Sequence, residues 1–248
     1  MLKNRHLTLL TILLLAYIPS STFTQEGQNL SDFNFTSASV LPFFTYRNTK
    51  YVILAREAHG SSRGTYDDFG GGREENENHP LITATREFFE EAILQLTIGL
   101  TIEEAQIYIN NTKNIIHIIA YSRHENKKNV TYIIRFDDYK DQLLNNFYTA
   151  LKQVIEDPYK EKDRIAIVKW NTLKRAMRRS KDTKDVKVKA CERHPKTGIL
   201  NEKYIILRSC FVKKLRPFFL HTHYKRGLNE KMRFYSQETK NYLNQCLK

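Results

Sequence analysis

The fold is decided by Asp68-Phe69-Gly70-Gly71-Gly72 and, further along, by Arg86-Glu87-Phe88-Phe89-Glu90-Glu91. The three glycines have no Cβ atoms, so their backbone can approach another group closely. The second segment lies in a helical apolar pattern that begins near Pro80, and proline suits the first turn of a helix. Together the segments predict a glycine loop that leads into a helix.

Each position of that helix is rotated by about 100° from the one before it. One broad face then collects the apolar residues Leu81, Phe88, Phe89, Ala92, Ile93 and Leu96. Glu87, Glu90 and Glu91 fall opposite, within an arc of about 100°. Three neighbouring carboxylates repel one another unless a cation lies among them, and Mg²⁺ prefers oxygen ligands. The pattern predicts a packed side and a Mg²⁺-binding side, with a solvated acidic face as the alternative.

Further elements extend outward from these segments. The predicted strands are 40–46 and 51–56, which form a hairpin, then 115–121, 130–136 and 164–170, and a late hairpin of 186–190 with 204–207. The predicted helices are 139–155, a basic helix at 173–179 and one near the C-terminus. We assign these elements to an α/β domain over residues 38–248 that ends in a helical C-terminal extension.

Composition and charge restrict the function. The 248 residues are 41% hydrophobic, which indicates a globular protein. The net charge of +13 favours attraction to a polyanion, which charge alone does not identify as nucleotide, nucleic acid or anionic membrane, and a solubilising surface charge is the alternative. The stretch 174–184 could hold a polyphosphate or an RNA backbone through Lys174, Arg175, Arg178, Arg179, Lys181 and Lys184. An exposed basic helix face is the alternative. Three cysteines, Cys191, Cys210 and Cys246, exclude a disulfide-built scaffold.

Residues 1–24 have the order of a secretory signal peptide. Lys3, Arg5 and His6 precede an apolar run, 7–18, which small and polar residues close. This run is shorter than the roughly 20 residues of a membrane span, so we expect none after leader removal. A polar linker follows over residues 25–37. We therefore expect a secreted or periplasmic protein, and an uncleaved leader that anchors it to the membrane is the alternative.

With these residues in place, the chain resembles the Nudix hydrolase family, whose box reads G-x5-E-x7-R-E-U-x-E-E-x-G-U, where U is apolar. Read from Gly72, the box is matched at Arg86, Glu87, Phe88, Glu90, Glu91 and Leu94. Asn78 then stands at the first glutamate and Ile93 at the second glycine. A frame read from Gly71 restores an acid, Glu77, but needs one extra residue before Arg86. The resemblance covers roughly residues 38–180 and implies an α/β/α sandwich with a mixed sheet.

The resemblance also implies the roles of the box residues. Glu90 and Glu91 would be the main ligands of Mg²⁺, or of Mn²⁺ in its place, and the carbonyl of Gly72 a further ligand. Glu87 would complete the metal cluster or polarise the attacking water. Arg86 would brace the loop and orient a glutamate through a charge-assisted hydrogen bond.

Outside the box, the family uses a further acid from a loop. Glu161 and Asp163 are the candidates for this role, followed by Glu125.

The two departures from the family's box have expected effects as well. Asn78 would weaken a secondary metal site, and Ile93 would let the helix continue where the family turns.

The implied reaction is hydrolysis of the diphosphate bond in a nucleoside diphosphate linked to another moiety. ADP-ribose-like compounds, dinucleoside polyphosphates and capped RNA all fit. Tyr66 and Arg56 flank the expected pocket and could contact a base or a phosphate, although packing and surface roles fit equally. The alternative is a secreted nucleotide- or RNA-binding module that kept the fold and lost turnover.

Overall fold

The structure is a computed structural model that describes residues 34–111, 113–124, 127–154, 161–180, 183–195, 200–220 and 232–234. The strands are β1 (Ser37–Tyr46), β2 (Thr49–Glu57), β3 (Tyr66–Asp67), β4 (Phe69–Gly72), β5 (Ile115–His124), β6 (Lys127–Arg135), β7 (Lys162–Lys169), β8 (Lys187–Arg193), β9 (Leu200–Ile206) and β10 (Met232–Phe234). The helices are α1 (Pro80–Glu91), α2 (Leu94–Ile98), α3 (Ile102–Asn110), α4 (Lys140–Gln153), α5 (Trp170–Arg179) and α6 (Ser209–Leu220). Over these ranges, no helix combines the length and the apolar character needed to cross a membrane.

The described strands form one mixed sheet. Its order is β10-β5-β6-β1-β2-β7-β8-β9, with β3 beside β2 and β4 beside β1. β1 pairs antiparallel with β2 but parallel with β6. The two predicted hairpins, β1 with β2 and β8 with β9, are confirmed.

Alternate residues of the central strands enter two separate cores. On β2, Ile53 and Ala55 join the cluster that contains α1, α3 and α4, whereas Val52 and Leu54 join the cluster that contains α5 and α6. Successive side chains of a strand point to opposite faces, so helices cover both faces of the sheet. The predicted α/β/α sandwich is confirmed.

Aromatic contacts fix α1 against the sheet. Phe88 is fully buried, and its ring packs edge to face with Phe69 at 5.1 Å and with Phe136 at 5.4 Å between ring centroids. Burying a side chain of this kind contributes about 1.5–3 kcal/mol, and each aromatic pair about 0.5–1.5 kcal/mol more. Since Phe69 immediately precedes the glycines, this packing also holds the glycine strand beside the helix.

The end of α1 differs from the expectation. The helix ends at Glu91, and Ile93 adopts a left-handed backbone conformation with φ 54° and ψ 48°. The prediction that isoleucine would let the helix continue is therefore wrong. A β-branched residue is unfavourable in this conformation, but Ile93 is only 2% exposed and its burial offsets the strain. After this turn Leu96 leaves the apolar face and is 45% exposed.

Two helices, α2 and α3, follow this turn without having been predicted. α3 begins with a capping box, in which the Thr101 hydroxyl accepts a hydrogen bond from Glu104 N and the Glu104 carboxylate accepts one from Thr101 N. The spacing Thr-x-x-Glu is a recognisable signal for a helix start. α2 ends at Gly99, whose φ of 77° suits a glycine after a helix.

Candidate active site

Gly70 and Gly71 lie against their neighbours at distances that leave no room for side chains. β4 pairs antiparallel with β1, which places the glycines beside α1. A Cβ atom on Gly71 would lie 2.6 Å from Cδ and Oε2 of Glu87, and one on Gly70 would lie 2.6 Å from Cα of Ser39. The backbone N–H of Gly70 donates to Oε2 of Glu91 at 2.7 Å. Close contact with Glu87 thus explains the glycine at position 71, and close contact with β1 explains the one at position 70.

Arg86 links the glycine loop to α1. Its Nε donates to Oε1 of Glu77 at 2.8 Å, and its Nη2 donates to the carbonyl oxygen of Gly72 at 2.9 Å. On the helix, its Nη1 lies 3.1 Å from Oε2 of Glu90 and its Nη2 lies 2.9 Å from Oε1 of Glu87. A planar guanidinium with five N–H donors can serve several acceptors at once. Because three carboxylates share one guanidinium, the group carries a net negative charge.

Glu77 is the loop acid that Arg86 holds. Its side chain is 5% exposed and accepts hydrogen bonds from a threonine hydroxyl at 2.6 Å and from a backbone N–H of the loop at 2.9 Å. Burial alone would raise the pKa of Glu77, but these bonds and Arg86 lower it. Asn78 is exposed. The loop acid that Arg86 holds is therefore Glu77, the acid that the frame read from Gly71 offers, with one extra residue before Arg86.

Burial and mutual repulsion act on the two helix acids nearest to Arg86. Burial raises the pKa of Glu87 to about 7, against the effect of Arg86 and with the help of the charges of Glu90 and Glu161. Burial and the charge of Glu161 also raise the pKa of Glu90. Glu161 therefore lies near both acids, although it is far from them in the sequence. The structure brings these three predicted site residues together.

Other residues considered from the sequence make internal contacts. Both carboxylate oxygens of Asp163 accept hydrogen bonds from Arg56, from its Nε at 2.7 Å and its Nη2 at 2.5 Å. Tyr66 is 2% exposed and its hydroxyl donates to Glu192. Glu125 lies outside the described residues. Of the two loop acids that the structure describes, Glu161 is the one placed beside the helix acids.

Lys162 is a buried residue of the site that was not predicted from the sequence. Its Nζ lies 3.1 Å from Oε1 of Glu91 and 2.6 Å from Oε1 of Glu57, and its side chain is 1% exposed. Burial lowers the pKa of this lysine, but the carboxylates raise it overall, so the ammonium stays charged. The helical angle places Glu91 on the predicted Mg²⁺-binding face, opposite the apolar residues, and Glu91 is only 2% exposed there. A fixed cation from β7 therefore already balances one of the predicted metal ligands.

More buried charges lie where α6 approaches the glycine strand. Nζ of Lys214 lies 2.7 Å from both carboxylate oxygens of Asp68. Nη1 of Arg208 lies 2.8 Å from Oε1 of Glu57 and 3.2 Å from Oδ2 of Asp67. These residues adjoin a cavity of about 310 Å³ that the glycine strand also lines. The spacing of residues in the sequence does not predict these ion pairs, because the two partners of each pair lie on separate elements.

The donor chemistry of the cluster fits a hard divalent cation. Glu77, Glu87 and Glu90 share one guanidinium, and Glu161 adds a further negative charge. Carboxylate oxygens are the ligands that Mg²⁺ prefers, and a cation would relieve their repulsion. In the part of the chain that the structure describes, no group of three His, Cys, Asp or Glu side chains is already arranged so that it could hold a metal ion.

Comparison with known proteins gives weak likenesses. No family model matches the chain, and no curated protein matches it. Among solved structures, a MutT/nudix family protein from Enterococcus faecalis is 12% identical with a TM-score of 0.39, and the match covers 85% of this chain and 68% of that one. An Ap4A hydrolase of C. elegans, solved as a binary complex, is 10% identical with a TM-score of 0.28. This match covers 41% of this chain and 65% of the hydrolase chain.

A third solved structure is the NUDIX domain of Shewanella oneidensis NrtR complexed with ADP ribose. It is 16% identical with a TM-score of 0.27, and the match covers 51% of this chain and 68% of that one. Likenesses at these identities and TM-scores assign no activity to the chain.

Proposed function

We propose that the chain is a Nudix-type pyrophosphohydrolase that uses Mg²⁺ to cleave the diphosphate bond of a nucleoside diphosphate linked to another moiety. The observation that carries the proposal is the position of Arg86, which joins Glu77 and Gly72 of the glycine loop to Glu87 and Glu90 of α1. These are residues through which the sequence resembles the Nudix box. On a solvated acidic face, the glutamates would need neither the contacts with Arg86 nor the burial that Glu77 and Glu87 show.

Glu87 and Glu90 would hold the cation, Mg²⁺ or Mn²⁺, because their negative charges face each other and that of Glu161. When bound, the cation would neutralise the diphosphate and lower the pKa of an attacking water. Glu91 takes a lesser part in this proposal than the sequence resemblance gives it, since Lys162 already balances its charge. The carbonyl of Gly72 accepts a hydrogen bond from Arg86, so we do not assign it as a ligand.

Glu161 is our candidate for the general base. Its backbone carbonyl accepts a hydrogen bond from Ala58 N at 2.9 Å, which fixes the residue at the end of β2. Its side chain is exposed, and it has no ion-pair partner in the described residues. The carboxylate is therefore free to take the proton of a water that attacks phosphorus. Arg86 would meanwhile keep Glu87 and Glu90 oriented.

The test is turnover of a substrate panel by the purified full chain. ADP-ribose, a dinucleoside polyphosphate and capped RNA are incubated with Mg²⁺, and the released nucleotide products are separated by chromatography. Glu87→Gln, Glu90→Gln and Glu161→Gln should each lower turnover by about 10²-fold or more. Glu103→Gln on α3 is the matched control and should keep full activity. Full activity in all three site variants would overturn the assignment.

A second candidate function is nucleotide binding without turnover. The ammonium of Lys162 favours it, because this fixed cation pairs with a carboxylate that the box resemblance gives to the metal. Calorimetric titration of the same panel separates the two. Binding of a nucleotide without release of any product supports the binding module, whereas release supports the hydrolase.

We also propose that the chain is exported, as a secreted or periplasmic protein or one anchored by its leader. The support is the charged, apolar and small-residue order of residues 1–24, which lie outside the described residues. Expression of the full chain in a secretion-competent host, with fractionation and mass measurement of the N-terminus, tests it. A cytosolic product with an intact N-terminus would refute export.

A further inference from the structure

A groove of about 620 Å³ is lined by α5 and by strands β8 and β9. The cations that line it, all of them exposed, are Lys169, Arg175, Arg179, Lys187 and Lys189. Asp185 and Glu202 are the acids among its lining residues. The groove therefore has five positive charges against two negative ones, which suits an anionic ligand.

Two tyrosine–lysine pairs form a row along this groove. Tyr51 of β2 lies directly opposite Lys169 of β7, and Tyr204 of β9 lies opposite Lys189 of β8. β7 and β8 pair at Ala166 with Glu192 and at Ile167 with Cys191, and both lysines lie two residues beyond this pairing in the same direction. The row crosses four neighbouring strands and spans roughly 14 Å. An anion bound along the row would relieve the repulsion between the two lysine charges.

The protein neutralises little of the charge in the groove. Nζ of Lys189 lies 2.6 Å from Oε2 of Glu202, and this contact, with the charge of Lys169, lowers the pKa of Glu202. In the described part of the chain, the groove cations without an ion-pair partner are Lys169, Arg175, Arg179 and Lys187. Arg178 of the same helix differs, because its Nε donates to a backbone carbonyl of α6 at 2.9 Å.

The tyrosines supply flat surfaces beside these cations. Tyr204 is 71% exposed. The ring of Tyr51 stacks on Phe44, with centroids 5.2 Å apart and planes inclined by 14°, which holds it rigid. Exposed aromatic rings beside cations are the elements that bind successive bases and phosphates of a single strand.

The groove is separate from the acidic cluster. β2 and β7 pair from Glu57 with Lys162 at one end to Tyr51 with Lys169 at the other. Seven residues of strand correspond to roughly 23 Å. Substitutions in the groove therefore leave the acidic cluster intact, and binding there does not depend on hydrolysis.

We propose that this groove binds single-stranded nucleic acid. Arg175, Arg179 and Lys187 contact its phosphates, and Tyr204 stacks on a base. The row is longer than a single nucleotide, so an oligonucleotide fills it and a mononucleotide does not. A duplex is disfavoured because its bases are already stacked on one another.

Fluorescence anisotropy with a labelled oligouridylate of about 20 nucleotides tests the proposal on the full chain. The native protein should bind at about 50 mM salt and weaken at about 200 mM. Arg175→Gln with Arg179→Gln should weaken binding at least about tenfold and reduce the salt slope by about 1.4. Tyr204→Ala should weaken binding about tenfold, whereas Tyr204→Phe should retain it because phenylalanine keeps the stacking face.

Lys113→Gln with Lys152→Gln is the matched control, since it removes the same charge from exposed positions outside the groove. It should bind within about threefold of the native protein. An equal loss in this control, or no binding by the native protein, would overturn the proposal. Duplex binding as tight as single-strand binding would do the same, as would binding to anionic lipid vesicles alone. Thermal unfolding verifies that each variant is folded, and Lys187→Gln provides an independent groove variant.

Discussion

Gly71→Ala should displace the carboxylate of Glu87 and leave the fold in place. The new Cβ atom would lie 2.6 Å from Cδ and Oε2 of Glu87, whereas relaxed contacts between carbon atoms lie at about 3.5–4.0 Å. The carboxylate must therefore retreat by about 1 Å, which removes its 2.9 Å contact with Nη2 of Arg86. The φ angle of Gly71 lies outside the left-handed region, so alanine adds no backbone strain.

The expected loss is in activity and metal affinity. Misplacing a catalytic group by about 1 Å can lower a rate about 10²-fold, so turnover of the panel substrate should fall by about this factor. Calorimetric affinity for Mn²⁺ should fall as well, which gives a readout that does not require turnover. The free energy of unfolding in urea should change by less than about 1 kcal/mol, because only the end of a flexible side chain moves and alanine restricts the unfolded chain.

Gly72→Ala is the matched control. Its Cβ atom would have no neighbour within 4 Å, so turnover and Mn²⁺ affinity should stay within about twofold of the native values. In the double variant Gly71→Ala with Glu87→Gln, the two losses should not add, because both act through one carboxylate. Equal effects of the two alanine substitutions, or additive losses in the double variant, would refute the reasoning.

Three further predictions concern stability. Nδ1 of His79 accepts the hydrogen bond that caps α1, and burial lowers the pKa of His79 to about 4. Because the unfolded chain takes up this proton near pH 6.5, the contribution of His79 to the free energy of unfolding should fall by up to about 2 kcal/mol from about pH 7.5 to about pH 5. The raised pKa of Glu87 acts in the opposite sense over this range, so the contribution is measured as the difference between the native protein and His79→Asn in urea titrations at each pH. The same pH dependence in both proteins would contradict this prediction. Ile93→Gly should be more stable than Ile93→Ala by about 1 kcal/mol in thermal unfolding, since both lose the buried side chain but only glycine relieves the positive φ; the opposite order would exclude strain at this turn. Lys162→Met should cost about 3–5 kcal/mol by leaving Glu57 and Glu91 buried without this partner. Adding Glu91→Gln should restore part of that loss, and no restoration would argue against the pairing.

The elements that the sequence predicts are those with a repeated apolar pattern. Burial on one face leaves a clear period in the sequence, of two residues for a strand and 3.6 for a helix. The alternation of β2 and the start of α1 at Pro80 were predictable for this reason. α2 and α3 were missed because they are short, and a short helix contains too few turns to show its period.

The site was predictable only where its residues are close in the sequence. The spacing of Arg86, Glu87 and Glu90 places them together on any helix, and the structure keeps them together. The helical angle gives the face of α1 on which Glu91 lies, but not which elements pack against that face. β4 and the ammonium of Lys162 cover that side, and the angle contains no information about them.

The sequence by itself determined the glycine run, the helix after it and the carboxylate spacing, because each depends on local backbone geometry. The tertiary structure decided which loop acid meets Arg86, and Glu77 takes that place because the loop accommodates one extra residue. It also decided that Lys162 reaches Glu57, 105 positions away in the chain, and that Tyr51 and Tyr204 line one groove. Such contacts depend on strand order and register, which no local pattern in the sequence specifies.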